Sequence, residues 1–191
     1  MIQYGINELR VGLKVIQNQE PCVIISNEGV KPGKGLSFNR IRLKNIISGK
    51  ILDRTLKSGD FLELADVVET QLIYLYRDYN LWYFMHDKNF DQVSIHKNII
   101  GKSDKWMKEQ WIYFVTFWNS MPILVTPPEI MHFKVVKTDL SIKSSSSTST
   151  SSGNKLAILS TGAILKVPFF IKSGELIKVN TNTGTYISRM K

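Results

Sequence analysis

Cysteine is almost absent. Cys22 stands alone among 191 residues, which excludes an internal disulfide and fits a reducing compartment. Within Pro21-Cys-Val-Ile-Ile25 it reads as a small buried hydrophobe rather than a reactive thiol. Histidine is scarce too: His86, His96 and His132 lie far apart, with no pair at the spacing a metal centre uses. Asp87 and Asp91 are four residues apart but read as turn or surface positions, and no nucleophile elbow occurs. Long apolar runs are missing as well, since Trp111–Trp118 falls far short of the roughly 20 residues of a membrane span. The first ten residues lack a basic start followed by an apolar core, which argues against a signal peptide. These absences predict a cytoplasmic protein that is not an enzyme, with no metal, no cofactor and no membrane association.

What is abundant is positive charge, and it is unevenly spread. The net charge is +9. Residues 31–57 carry eight Lys/Arg against Asp53 alone, and residues 129–191 carry nine against three acids. Residues 58–128 hold nine acids and six bases, so an acidic middle separates two basic blocks. Two basic lobes point to a polyanion touched at two places, with RNA the leading partner and a set of merely solvated lysines the alternative.

The hydrophobic pattern is that of strands. Leu13–Ile16 and Cys22–Ile25 flank Gln17-Asn-Gln-Glu20 and read as a hairpin. Phe38–Asn45 alternates, placing Arg40, Arg42 and Lys44 on one face and Phe38, Ile41 and Leu43 near the other. The alternation slips at Arg40 and Ile41, where a bulge is expected. Further strands are expected at Asp66–Tyr76, Leu81–Met85, Trp111–Trp118 and Pro122–Thr126, with one short helix around residues 96–109. Pro127-Pro128 makes a stiff junction. Beyond it, Met131–Val136, Lys155–Leu159, Ile164–Ile171, Glu175–Asn180 and Tyr186–Arg189 read as strands. Ser144–Gly153 has nothing apolar to bury and reads as a mobile loop. The expected fold is all-β: three small barrels at residues 1–64, 65–128 and 129–191.

The aromatic series Tyr74, Tyr76, Tyr79, Trp82, Tyr83 and Phe84 could form a base-stacking platform, but the acidic balance of its surroundings favours packing. The stretch Gly29-Val-Lys-Pro-Gly-Lys-Gly35 superficially resembles a phosphate loop. Its glycines have the wrong spacing, Lys34 is followed by Gly35 rather than Ser or Thr, and no helix follows. It reads instead as a tip that exposes Lys34, shaped by Lys31, Pro32, Gly33 and Gly35, beside the cations Arg40, Arg42 and Lys44.

That tip resembles bacterial elongation factor P, the relative of eukaryotic and archaeal initiation factor five-A. The likeness is carried by Val30-Lys-Pro-Gly-Lys-Gly35, Arg40-x-Arg-Leu-Lys-Asn45, Ala65-Asp-Val-Val68, Leu75-Tyr76, Trp82-x-Phe-Met85 and Val125-Thr-Pro-Pro128. It continues through Leu159–Pro168 and Gly174–Val179 and so spans nearly the whole chain. The resemblance implies an SH3-like first domain, two OB-fold domains and an L shape. It implies a monomeric factor that binds both ribosomal subunits beside the peptidyl-site tRNA and relieves stalling at consecutive prolines. It also implies that a modifying enzyme extends Lys34, with a β-lysyl group as the leading chemistry. RNA contact is carried over to Tyr186 and Arg189 from a Tyr-x-x-Arg ending. The resemblance breaks at Lys143-Ser-Ser-Ser146, where the family has a Gly-Asp-Thr-type loop near mRNA, and at Leu140, where it has proline. A general OB-fold RNA-binding or chaperone protein without ribosomal specificity is the rival reading.

Overall fold

The computed structural model describes residues 2–31, 33, 37–138 and 154–190. The Ser/Thr tract, Lys143–Ser146 and Leu140 lie outside the described residues. Within them the fold is all-β, as the alternation predicts, with strands gathered in three sheets.

The first sheet has six strands in the order β1-β6-β2-β3-β4-β5: β1 (Gln3–Gly5), β2 (Lys14–Gln17), β3 (Glu20–Val30), β4 (Phe38–Asn45), β5 (Ile51–Lys57) and β6 (Phe61–Leu64). The second is β11-β10-β7-β8-β9, built from β7 (Val67–Asp78), β8 (Leu81–Met85), β9 (Gln92–His96), β10 (Ile112–Trp118) and β11 (Met121–Thr126). The third is β14-β13-β12-β15-β16, from β12 (Ile130–Thr138), β13 (Asn154–Leu159), β14 (Ile164–Pro168), β15 (Leu176–Asn180) and β16 (Thr185–Arg189). The expected helix is shorter than the span allotted to it. It comprises α1 (Lys97–Ile100), capped by His96 Nδ1 accepting from Asn98 N, and a 3-10 turn, Gly101–Trp106. Gly101, at φ 51°, ends α1 in a conformation closed to most residues.

The chain divides into two compact units, Met1–Thr70 with Val115–Leu124, and Gln71–Phe114 with Val125–Lys191. The core of the first gathers Val15, Cys22, Ile24, Ile41, Leu43 and Leu56. Burial pushes the Cys22 thiol pKa up, with the nearby Glu20 carboxylate adding to it, so the group stays protonated. In the second unit Tyr74, Phe84 and Tyr113 pack ring against ring at centroid distances of 5.4 and 6.1 Å. Tyr113 also ties loop to strand: its hydroxyl accepts from Lys108 N and donates to Trp106 O. The aromatic series is split by alternation along β8 and, on β7, by a bulge between Tyr74 and Tyr76 that turns these two residues to opposite faces. Tyr74, Trp82 and Phe84 are buried, whereas Tyr76 stacks on Tyr83 at 4.7 Å on the outer face and Tyr79 stands at the hairpin tip.

The β2–β3 hairpin closes with Gln17 opposite Glu20, so only Asn18 and Gln19 form its loop. Both have left-handed backbone, at φ 51° and 62°. That geometry matches the strand twist and suits Asn, but it strains Gln by about 1–2 kcal/mol. Glycine is free of that strain and gives back part of the gain in unfolded-chain entropy. Gln19→Gly is therefore expected to stabilise the first unit by roughly 0.5–1 kcal/mol, read as a higher urea midpoint with an unchanged slope.

Candidate nucleic-acid interface

The basic face is built on β4, held between β3 and β5. Ile41 and Leu43 point inward and are 1% and 0% exposed, so Arg40, Arg42 and Lys44 must point outward. Burying each of those two side chains is worth about 1.5–3 kcal/mol, whereas an exposed cross-strand pair contributes roughly 0.2–1 kcal/mol. The core residues therefore decide which face carries the cations.

Two details correct the sequence reading. Phe38 belongs to the outer row with Arg40, Arg42 and Lys44, because residues two apart share a face and β4 pairs regularly throughout its length with β5. The bulge lies on β3, between Ile24 and Ser26, where Ile25 is the extra residue opposite consecutive Leu43 and Arg42. Apolar Phe38 imitates an inward residue in the sequence; only the pairing reveals its side.

The register gives every outer residue its neighbours. Phe38 lies between Val30 and Lys57, Arg40 between Glu28 and Thr55, Arg42 between Ser26 and Asp53, and Lys44 between Val23 and Ile51. Arg42 Nε donates to Asp53 Oδ1 at 2.8 Å, and this hydrogen bond holds the guanidinium pKa above its ordinary value. Both side chains are well exposed, so solvent screens the pair and a phosphate can displace Asp53. The Arg40 guanidinium lies 5.6 Å from the centre of the Phe38 ring. Two hollows follow: one of about 470 Å³ includes Glu28, Arg40, Arg42 and Asp53 in its wall, and an apolar one of about 480 Å³ is formed by Phe38, Arg40, Thr55 and Lys57.

The hairpin is anchored at its inner side. Asn39 Nδ2 donates to Ile6 O at 3.3 Å and to Asn27 Oδ1 at 3.0 Å, while Asn27 Nδ2 donates to Leu9 O at 2.7 Å. Lys31 and Gly33 are exposed beyond the end of β3. Pro32, Lys34 and Gly35 lie outside the described residues.

Tyr186 and Arg189 sit on β16 in the second unit and enter different local contacts. Tyr186 is half-buried beside a hollow of about 400 Å³ that Lys166 also lines. Arg189 Nη1 donates to Glu175 Oε1 at 3.2 Å, and its guanidinium lies 6.0 Å from the Phe170 ring centre. The Glu175 carboxyl is held below its ordinary pKa, first by the Lys172 backbone N–H and then by Arg189. Sequence reasoning overlooked Phe38, Thr55 and Lys57 as parts of the basic face. Alternation along Ile51–Lys57 sets Asp53, Thr55 and Lys57 on one side, but their partners require the register.

Comparison with known proteins agrees with this architecture. Three family models match: an elongation factor P KOW-like domain over residues 5–62, an elongation factor P OB domain over 67–125, and an elongation factor P C-terminal domain over 131–189. Elongation factor P from Blochmanniella floridana is 64% identical over 188 residues, covering 98% of this chain and 99% of that protein. Two solved structures share the fold at low identity. The eukaryotic translation initiation factor 5A from Methanococcus jannaschii has a TM-score of 0.52 and 16% identity, covering 66% of this chain and 92% of its own. A translation initiation factor eif-5a family protein from Naegleria fowleri has a TM-score of 0.53 and 14% identity, covering 65% and 97%. The first domain is thus KOW-like and SH3-related, OB-type domains follow, and the chain belongs to the elongation factor P family of translation factors.

Proposed function

We propose that this protein binds the ribosome beside the peptidyl-site tRNA and speeds peptide-bond formation where consecutive prolines stall it. The observation that carries the reading is the outward row Arg40, Arg42 and Lys44 on an anchored hairpin whose connecting loop contains Lys34, in a chain of this family. The cations bind RNA phosphates without reading sequence, and they fix the orientation of the hairpin. Lys31, Pro32, Gly33 and Gly35 shape the loop. Lys34, extended by a modifying enzyme with a β-lysyl group, reaches toward the tRNA end with more donors than a bare side chain offers.

The protein contributes no reacting group in this scheme. Proline is a constrained partner in peptide transfer, and ordering the tRNA lowers the barrier through position. Such ordering can supply up to roughly 7–11 kcal/mol in favourable cases. Tyr186 and Arg189 provide a second RNA contact from the basic C-terminal segment. The protein acts as a cytoplasmic monomer built of three domains, at residues 1–64, 65–128 and 129–191. A general RNA-binding protein is the rival reading, and the two part over Lys34. Affinity resides in many cations, whereas activity at proline runs resides in the tip.

In cells deleted for the gene, Lys34→Ala is expected to leave proline-run reporters stalled while ribosome and RNA affinity change less than about threefold. Restored reporter synthesis by Lys34→Ala contradicts the reading. Protein isolated from its native host is expected to weigh one lysyl residue more than the bare chain by intact mass, and a mass equal to the bare chain refutes the modification.

A further inference from the structure

The second unit holds a cleft of about 690 Å³ that the translation reading leaves unused. Three segments build it. Strands β7 and β8 supply Tyr74, Arg77 and Trp82, the stretch from the 3-10 turn supplies Asp104, Lys105 and Glu109, and the β13–β14 turn supplies Thr161. Thr161 Oγ1 donates to Lys105 O at 2.7 Å and locks the last two segments together.

The buried side of the cleft carries one unpaired donor, on Trp82, beside the Tyr74 ring. Tyr74 is 4% exposed and Trp82 1%. Trp82 Nε1 is buried and has no hydrogen-bond partner among the described residues, whereas Tyr113, packed on the Tyr74 ring, is fully satisfied. A buried donor without a partner is destabilising and marks the wall where local rearrangement is least costly. Burial, then the nearby Glu109 carboxylate, raises the Tyr74 pKa and keeps the hydroxyl a donor.

The rim adds charge of both signs. Arg77 Nη1 stands 3.8 Å from Asp104 Oδ1, beyond hydrogen-bond distance, and the arginine side chain is 64% exposed. Its fork is therefore available to a bidentate anion. Lys105 Nζ lies 4.9 Å over the Trp106 ring, while Lys108 Nζ is held by His132 O at 3.3 Å and adds field rather than contact. Asp104 and Glu109 are acceptors suited to sugar hydroxyls. Cations for a phosphate, carboxylates for a diol and a neutral donor for a ring or sugar acceptor together describe one ligand class. The volume lies within the roughly 300–1,000 Å³ of small-molecule sites.

We propose that this cleft binds a nucleotide, its phosphate on Arg77 and Lys105, its ribose hydroxyls on Asp104 and Glu109, and an acceptor on Tyr74. Trp82 Nε1 is covered by its neighbours and reports on the site from behind Tyr74. The nucleotide is either free or one unit of a single-stranded RNA; the chemistry is the same, and the experiment separates the two sources.

The test titrates the full chain with AMP, CMP, ribose 5-phosphate, inorganic phosphate, free lysine and a short single-stranded RNA. Calorimetry is followed beside the tryptophan indole resonances in proton–nitrogen spectra. A saturable shift of the Trp82 resonance is expected with nucleotides, weakened about tenfold or more by Arg77→Ala. Tyr74→Phe is expected to weaken it several-fold, with the melting curve confirming the fold of each variant. RNA binding more tightly than AMP and CMP assigns the site to a strand, and equal affinity assigns it to the free nucleotide. The proposal is overturned by the absence of a saturable shift or by unchanged affinity in Arg77→Ala. It is equally overturned if lysine is preferred to nucleotides, or if inorganic phosphate matches them, which marks an adventitious ion only.

Discussion

Everything distinctive about the basic face depends on the two-residue period of β4 between its two neighbours. Ile41 and Leu43 are driven into the core of the first unit, and the pleat then turns Arg40, Arg42 and Lys44 outward. A register slip of one residue would bury three cations and expose two core side chains. Desolvating even one unpaired charge costs several kcal/mol, so no reachable alternative register competes. The position of the charges is a by-product of packing. Their function needs no special local stabilisation.

The face is also less positive than residue counting implies. Glu28 lies opposite Arg40, and Asp53 is paired with Arg42, so two acids are set among the cations. Such exposed pairs are weak and screened. The Arg42–Asp53 bond orients that one guanidinium at little cost. The neighbouring Phe38–Arg40 contact adds a flat apolar surface beside the charges. The combination suits a nucleic-acid backbone touched along an edge better than a deep pocket for a small anion.

How much of this the sequence discloses follows from which forces are local. The β2–β3 hairpin, β4 and β8 were legible because alternation and turn residues act within a few positions. The short strands β1, β6 and β9 were not: Gln3–Gly5 and Phe61–Leu64 are only 3 and 4 residues long, Gln92–His96 carries only Val93 and Ile95 as apolar residues, and their pairing partners stabilise them. The bulge falls on β3 rather than at Arg40 and Ile41, because an extra residue is defined only against its partner strand. The Arg42–Asp53 pair likewise joins residues 11 apart through register. In the second unit, the split of Trp82 and Phe84 from Tyr83 follows strand alternation, but the split of Tyr74 from Tyr76 needs the bulge between them, and the convergence of Tyr74, Arg77, Asp104 and Thr161 on one cleft follows from neither. Those residues come from three separated segments, and no spacing rule links them.

Under the proposed function the chain is a positioning device: its first sheet presents cations to RNA, and the loop between β3 and β4 carries Lys34, which does no chemistry of its own. If position is the whole contribution, the benefit must appear only where substrate geometry is poor. The most direct measurement is the single-turnover rate of peptide-bond formation on purified ribosomes, with and without the modified protein, for a proline-on-proline step and for an ordinary step. The account predicts faster transfer at the proline step by about tenfold or more with little change at the ordinary one. An equal effect on both, or none on either, would contradict it.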